Sequence, residues 1–187
     1  MAQDASELVI AGSGDIAFAP TGTTEPTTPT ASLHANFVNA GYATEEGLTL
    51  NVDPTIEEHM AWQSKNAVRI ELVAQAITVS FELEQWNSDN AVFAFGGGEV
   101  TSLGGGVYKY TFPTADEALD DRMLVCDWQD GDKNYRLVVP KGNVTEGTET
   151  NLTRGSLAVF PITFKAVDAG SGPAYILTDD PNWTAES

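Results

Sequence analysis

The sequence feature that most constrains the fold is a stretch from Ala67 to Trp86 in which apolar and polar residues alternate. Successive side chains of a β-strand point to opposite faces of a sheet, so alternation of this kind is typical of a strand with one buried face. The apolar residues fall into two series, Val68 to Leu72 and Ile77 to Leu83. The pattern therefore predicts two long, half-buried strands joined by a bend near Ala74-Gln75-Ala76.

Shorter strands are predicted along most of the remaining chain, separated by turn residues at roughly ten-residue spacing. They cover Leu8–Ala11, Asp15–Ala19, Phe37–Tyr42, Gly47–Val52, Val107–Phe112, Arg122–Trp128, Asn134–Val139, Leu157–Ala166 and Tyr175–Leu177. Gly12-Ser13-Gly14 is predicted as the turn between the first two, and Asp130-Gly131 as a hairpin turn. Thr55–Ser64 follows neither the helical nor the strand period, so we expect a long excursion from the sheet there.

One helix of about two turns is predicted from Asn87 onward. Asn87 is suited to cap its N-terminus, Asp89 lies in its first turn, and Gly96 stands where a helix often ends. One helix among many short strands indicates a mainly β fold, a β-sandwich or barrel subunit with one short flanking helix. Nothing in the composition marks a boundary, so we expect a single domain over residues 1–187.

The charge of the chain restricts what it can bind. Its 27 acidic residues outnumber its nine Lys and Arg by 18, and residues 1–64 contain no Lys or Arg at all. Proteins that hold nucleic-acid phosphates need clustered positive charge, so ordinary nucleic-acid binding is disfavoured. The predicted polar face of the alternating stretch is itself acidic, at Glu71, Glu82 and Glu84. We expect such a like-charged segment to lie at a surface.

The chain offers few residues for catalysis or metal binding. A single cysteine, Cys126, and two histidines cannot assemble a Cys/His zinc site, and no G-x-S-x-G motif is present. We therefore expect no enzyme activity, no metal and no cofactor.

Targeting signals are also missing from the sequence. No Lys or Arg precedes the short apolar run near the N-terminus, and no apolar run approaches the ~20 residues of a membrane helix. We expect a protein made in the cytoplasm without membrane insertion. A structural or assembly role is the leading function class. The alternative is a soluble β-sandwich binding module, surface or adhesin-like, without catalytic activity.

Four groups of residues, in a fixed order and spacing, are familiar from a known family. They are Ile16–Pro26, Gly41–Gly47, Glu57–Ser64, and Trp86-Asn87 with Phe95–Gly98. With these groups the chain resembles the major tail protein, or tail tube protein, of long-tailed (siphovirus-type) phages that infect actinobacteria. The resemblance covers most of the chain up to about residue 165.

The resemblance implies a β-sandwich subunit that assembles into hexameric rings, which stack into the phage tail tube. It also implies the partners: further copies of the chain, a tape measure protein, and tail-tip and tail-terminator proteins. DNA would pass through the lumen without specific binding. The expected location is the virion tail, assembled in the cytoplasm of the host bacterium. The chain would be a single tail-tube-like domain from which an arm or loop extends around residues 42–66, and it would end in a short acidic C-terminal tail.

Two sets of site residues follow from the resemblance. The candidates for the lumen are Glu71, Thr78, Ser80, Glu82 and Glu84. The candidates for the inter-subunit arm are Tyr42, Leu48, Leu50, Glu57, Glu58, Trp62 and Gln63. For Trp62 two interpretations stay open: an anchor at an interface, where aromatic residues dominate binding energies, or a cap on the core of its own subunit.

Overall fold

The computed structural model describes residues 7–146, 148–170 and 172–184, which form ten strands and one helix. The elements are β1 (Ser13–Pro20), β2 (Val38–Asn39), β3 (Ala43–Met60), β4 (Ala67–Leu83), α1 (Ser88–Ala94), β5 (Glu99–Gly104), β6 (Val107–Thr111), β7 (Arg122–Asp130), β8 (Lys133–Val144), β9 (Phe160–Ala166) and β10 (Tyr175–Thr178). The predicted mainly β fold with one helix is confirmed.

Eight of the strands form one sheet in the order β2-β1-β7-β8-β9-β4-β3, with β10 paired to β8 beside β9. All of its neighbouring strands are antiparallel. β5 and β6 form a separate two-stranded sheet. The predicted hairpin after Asp130 joins β7 to β8, where Asp130 pairs with Lys133 across a two-residue turn. Gly131 adopts a φ of 59° in this turn, a conformation that glycine takes without a steric penalty.

The core lies between one face of the sheet and α1. Val79, Phe81 and Leu83 of β4 pair with Phe164, Ile162 and Phe160 of β9, and all six side chains are buried. Helix α1 covers them because its Phe93 packs between two strands. The Phe93 ring stacks on Phe18 of β1 at a centroid distance of 4.2 Å and lies 5.8 Å from Phe164 of β9.

The caps of α1 agree with the sequence prediction. The side chain of Asn87 accepts a hydrogen bond from the backbone N–H of Asn90 at 2.8 Å, and Gly96 follows the helix with a φ of 71°. Asn90 is fully buried and donates from Nδ2 to the carbonyl groups of Ala40 and Gln85, which fastens the helix to the chain segments on both sides of the β3–β4 pair.

The opposite face of the sheet is covered by the Thr/Pro-rich segment 21–37 through a buried arginine. Arg136 of β8 forms a bidentate ion pair with Asp127, in which Nε donates to Oδ1 and Nη2 donates to Oδ2, each at 2.7 Å. Its Nη1 donates to the carbonyl oxygens of Thr28 and Ala31 at 3.1 and 2.7 Å. A buried guanidinium with these partners holds an otherwise apolar-poor loop against the sheet.

The C-terminal segment is fastened by two carboxylates beside the β7–β8 hairpin. Asp180 accepts a hydrogen bond from the hydroxyl of Tyr135 and lies 3.3 Å from Nζ of Lys133. The hydrogen bond from Tyr135 is the main cause that lowers the pKa of Asp180, and the same bond raises the pKa of Tyr135 to about 12. Asp179 accepts from the backbone N–H of Asn134, and this bond lowers its pKa as well.

Three local predictions near the N-terminus are wrong. Leu8–Ala11 is not a strand, because it has no neighbouring strand and Leu8 and Ile10 are exposed. Ser13 and Gly14 are not a turn but the start of β1, paired with Gln129 and Trp128 of β7. Only Val38 and Asn39 of the predicted strand Phe37–Tyr42 are in β2. After them the chain turns at Gly41, with a φ of 79°, into β3.

One prediction in the centre of the chain is also wrong, and another holds only in part. Val68–Leu72 and Ile77–Leu83 do not form two strands with a bend at Ala74–Ala76, because all of them belong to the continuous strand β4. Thr55–Ser64 extends beyond the main sheet as expected, but it is not irregular throughout, because β3 continues to Met60 and pairs with β4. The separate strand β5 was not predicted.

Three aspartates that accept hydrogen bonds in the folded protein make its stability depend on pH. Asp121, Asp179 and Asp180 all have a lowered pKa in the folded protein, against about 3.9 in an unfolded chain. The stability that they contribute is present above the unfolded pKa and is lost as the pH falls through the folded one. We expect the thermal midpoint to fall between pH 7 and pH 3, measured by circular dichroism.

The variant Asp180→Asn is the matched comparison, because relief of charge repulsion at low pH acts on both proteins. We expect it to have a lower midpoint than the wild type at pH 7 and to lose less on acidification. An identical pH dependence in the two proteins would contradict the role of Asp180.

Candidate functional site

The most unusual part of the structure is the hairpin formed by β3 and β4. The two strands pair from Ala43 and Leu83 at the base to Met60 and Ala67 at the tip, but β9 pairs with β4 only from Thr78 to Leu83. Among the residues that the structure describes, the outer part of the hairpin, residues 52–60 and 67–77, is therefore a two-stranded ribbon without a third strand. At about 3.3 Å per residue it extends roughly 30 Å beyond the sheet.

A β-bulge keeps the two faces of the ribbon continuous. Thr55 pairs with Ala74 but Ile56 pairs with Leu72, so Val73 is an extra residue on β4. An extra residue shifts the alternation of side chains by one position. The even-numbered apolar residues before Val73, such as Ile70 and Leu72, therefore lie on the same face as the odd-numbered ones after it, such as Ile77 and Val79. The change of phase in the sequence thus comes from a bulge within one strand.

One face of the ribbon is apolar and uncovered. The apolar side chains of this face, together with Val68 and Val73 at two register shifts of β4, are more than one third exposed: Leu50 38%, Val52 47%, Ile56 54%, Val68 59%, Ile70 61%, Leu72 58% and Val73 59%. Val79, further along the same face of β4, is fully buried. The predicted half-burial therefore holds only for the base of β4. A contiguous apolar surface of this extent indicates a site of association.

The other face of the ribbon is polar and carries an excess of acid. Thr78, Ser80 and Glu82 share it by alternation on β4, and the bulge brings Glu71 onto it as well. On β3, Thr49 pairs with Ser80, Asn51 with Thr78 and Glu57 with Glu71, and the same face also carries Asp53, Thr55 and His59. Four of the five predicted lumen candidates therefore lie on one face. Glu84 follows the last residue of β4, and its backbone N–H donates to the carbonyl of Tyr42.

The charges at the outer end of the polar face are partly paired. Glu71 Oε2 lies 3.2 Å from Nη2 of Arg69 and 3.5 Å from Nε2 of His59, and Glu57 is the direct cross-strand partner of Glu71. All of these side chains are exposed, so the ion pairs contribute little to stability. The outer ribbon is acidic on this face, because its three carboxylates outnumber the single guanidinium of Arg69. The three are Asp53, Glu57 and Glu71.

The predicted arm residues do not form one cluster. Tyr42 is 74% exposed just before β3, whereas Leu48 is partly buried and packs against the core. Glu57 lies on the polar face and Glu58, one residue on, opposite Ile70 on the apolar face.

Trp62 and Gln63 lie in the turn at the tip of the hairpin. Trp62 is 99% exposed, so the interpretation that it caps the core of its own subunit is wrong.

Sequence reasoning missed the apolar face, although part of the signal was present. The series Val68–Leu72 was interpreted as half-buried, and nothing in a single alternating strand shows whether its apolar face is covered. Ile56, which pairs with Leu72 of this series, lies in the segment Thr55–Ser64. Two consecutive acidic residues, Glu57 and Glu58, interrupt the alternation of apolar and polar residues there. The pairing of these strands became visible only in three dimensions.

The described residues contain no group of three or more His, Cys, Asp or Glu side chains that could hold a metal ion. Burial raises the pKa of the Cys126 thiol far above its usual range, so this thiol stays protonated. Among the same residues, no helix has the length and apolar character needed to cross a bilayer.

The fold and the hairpin define a class of protein: a β-rich subunit whose amphipathic ribbon is left uncovered by the described part of its own chain. A family model described as phage tail tube protein matches residues 1–186. The chain therefore belongs to the phage tail tube protein family, and the resemblance seen in the sequence is confirmed at that level. It is a structural protein of the virion tail that self-assembles into a tube with other tail proteins. No curated protein matches the sequence.

The apolar face gives a prediction for the free subunit. Val68→Thr and Val79→Thr are the same isosteric change on the same face of β4, at 59% and 0% exposure. We expect Val68→Thr to change the free energy of unfolding by less than about 0.5 kcal/mol. Val79→Thr buries a hydroxyl and should cost about 1–3 kcal/mol.

Urea denaturation of the dilute, monomeric protein measures both values. Equal losses for the two variants would show that the ribbon is packed against its own subunit, which contradicts the structure.

Proposed function

We propose that this chain polymerises as stacked hexameric rings into the tail tube of a long-tailed phage of actinobacteria, and that the tube is an acidic conduit for genome ejection. The observation that carries the proposal is the amphipathic ribbon of β3 and β4. Nothing in the described part of the chain covers its apolar face, and its polar face is acidic.

The apolar face supports assembly. A side chain such as Val68 or Ile70, at 59% and 61% exposure, gains about 1 kcal/mol when a neighbour covers it. Seven side chains of this kind supply several kcal/mol per subunit. Contacts between different patches of identical chains close into rings or continue as open stacks, which is the symmetry of a tube.

The polar face supports the conduit. With the apolar face turned to a neighbour, the opposite face, with Thr78, Ser80 and Glu82, is left to line the channel. Glu71 extends this surface, and Glu84 lies at its inner end. Repeated in every subunit, these carboxylates repel the DNA phosphates. On a wall where carboxylates outnumber basic residues such as Arg69, contact with DNA releases few condensed counterions, so DNA slides without being held.

Other parts of the account rest on the family relationship alone. They are assembly in the cytoplasm of the host, a tape measure protein inside the growing tube, and tail-tip and tail-terminator proteins at its two ends. The residues proposed for contacts between subunits are those of the arm, above all Tyr42 and Trp62, which are 74% and 99% exposed.

Assembly can be tested with a double variant that makes the exposed apolar face of β4 more polar. Loss of about 1.4 kcal/mol from an interface weakens it about tenfold. We expect the double variant Val68→Thr/Ile70→Thr to raise the concentration at which rings or tubes form by about tenfold or more, seen by light scattering and negative-stain microscopy. Leu103→Thr, an exposed change on β5, is the control and should assemble as the wild type does.

If the double variant assembles at the wild-type concentration, the apolar face is not the interface. If the wild type forms no rings or tubes with a central channel, the proposed polymerisation is contradicted.

The acidic conduit is tested by reversing charge. In phage particles that carry Glu57→Lys/Glu82→Lys, we expect intact tails but slowed or stalled release of DNA, followed by the fluorescence of a DNA-binding dye. Both residues lie on the polar face. The control Glu99→Lys/Glu117→Lys makes the same change in net charge at exposed positions outside the hairpin. Equal release rates in the two particles would overturn the acidic conduit.

A further inference from the structure

A cavity opens at the base of the hairpin, where the two ends of the sheet come together. It has a volume of about 870 Å³ and is lined by residues of β1 and β3 as well as of β7, β8 and β10. Its apolar lining includes Ile16, Leu48, Leu50, Leu137 and Ile176. The cavity is within the size range of ~300–1,000 Å³ that is typical of binding pockets.

The same cavity has an acidic edge. Asp15 of β1 and Glu45 and Glu46 of β3 line it and are exposed to solvent. Asp127 also lines it but is held by Arg136. An apolar floor with free carboxylates at the edge fits a ligand that combines an apolar group with a positive charge.

The tip of the hairpin carries both of these groups. Trp62 is 99% exposed, and Lys65, three residues further on, is the first Lys or Arg in the chain. The turn is held in shape by the backbone N–H of Ser64, which donates to Ala61 at 3.0 Å, and by the hydroxyl of Ser64, which donates to the carbonyl of Asn66 at 2.9 Å. An ordered turn presents Trp62 and Lys65 at a low entropic cost of binding.

We infer that the hairpin tip of one copy docks into this cavity of a second copy, with the indole of Trp62 on the apolar floor and Lys65 beside Glu45 and Glu46. The inference rests on the proposed tube assembly and specifies one of its contacts. Leu50, the cavity residue nearest to the tip, is already ten residues, or roughly 30 Å, from Met60 at the end of β3, so tip and cavity do not meet within one chain. A contact between two different patches repeats head to tail, as a stack of rings requires.

Cross-linking tests the contact directly, because the native Cys126 is fully buried and gives little background. One preparation carries Gln63→Cys at the tip and another Glu45→Cys at the cavity edge; both positions are exposed. A short bis-maleimide is added to each preparation alone and to their mixture after co-assembly with wild-type protein. We expect cross-linked dimers in the mixture at least tenfold above either preparation alone.

The control replaces Glu45→Cys by Lys109→Cys, on the exposed surface of β6 outside the cavity. As much cross-linking of Gln63→Cys to Lys109→Cys as to Glu45→Cys would overturn the docking, and so would Gln63→Cys dimers in the preparation alone. Tubes that form without a cross-link in the mixture overturn the docking and leave the proposed function standing. A protein that remains monomeric at every concentration contradicts both.

A charge exchange provides the second test. Lys65→Glu should weaken assembly several-fold, and Glu45→Lys/Glu46→Lys in the same chain should restore much of the loss, since the attraction is then reversed in sign. Absence of any rescue, with both proteins folded by circular dichroism, would contradict the contact between Lys65 and the acidic edge.

Discussion

The pairing of β3 with β4 is the interaction on which the rest of the structure depends. At its base the pair belongs to the main sheet, and the side chains of Val79, Phe81 and Leu83 are buried beneath α1. Toward its tip the same ladder continues, and no third strand or helix of the described residues covers it. A two-stranded ribbon is marginal on its own, so the buried base stabilises the register of the exposed part. The bulge at Val73 then decides which side chains face which way.

The body of the subunit keeps this base rigid from both sides. On one face Phe93 stacks on Phe18, and Asn90 connects α1 to the segments before β3 and after β4. On the other face Arg136 holds the Thr/Pro-rich segment against β8. A base held on both faces and an uncovered ribbon are compatible with a subunit that assembles with further copies, as members of the tail tube protein family do.

Much of the fold could be predicted from the sequence, because strand alternation, the Asp130-Gly131 turn and the Asn87 cap act locally. The errors arose where the outcome depends on partners distant in the chain. Alternation cannot distinguish a bulge within one strand from a bend between two, so the sequence predicts two strands where the structure has the single strand β4. The strand that begins at Ala43 could not be followed into Thr55–Ser64, because its continuation depends on pairing such as that of Ile56 with Leu72. The polar residues of the candidate site were found from the period of two. The apolar face opposite them was not, since burial is a property of the whole structure.

The central claim is that the polar face of the β3–β4 ribbon lines a channel while the apolar face is covered by a neighbouring copy. Electron cryomicroscopy of tubes assembled from the purified chain tests it most directly. The account predicts density for Thr78, Ser80 and Glu82 on the channel wall and for Val68 and Ile70 against an adjacent subunit. A reconstruction with the polar face on the outside of the tube, or with Val68 and Ile70 in solvent, would contradict it.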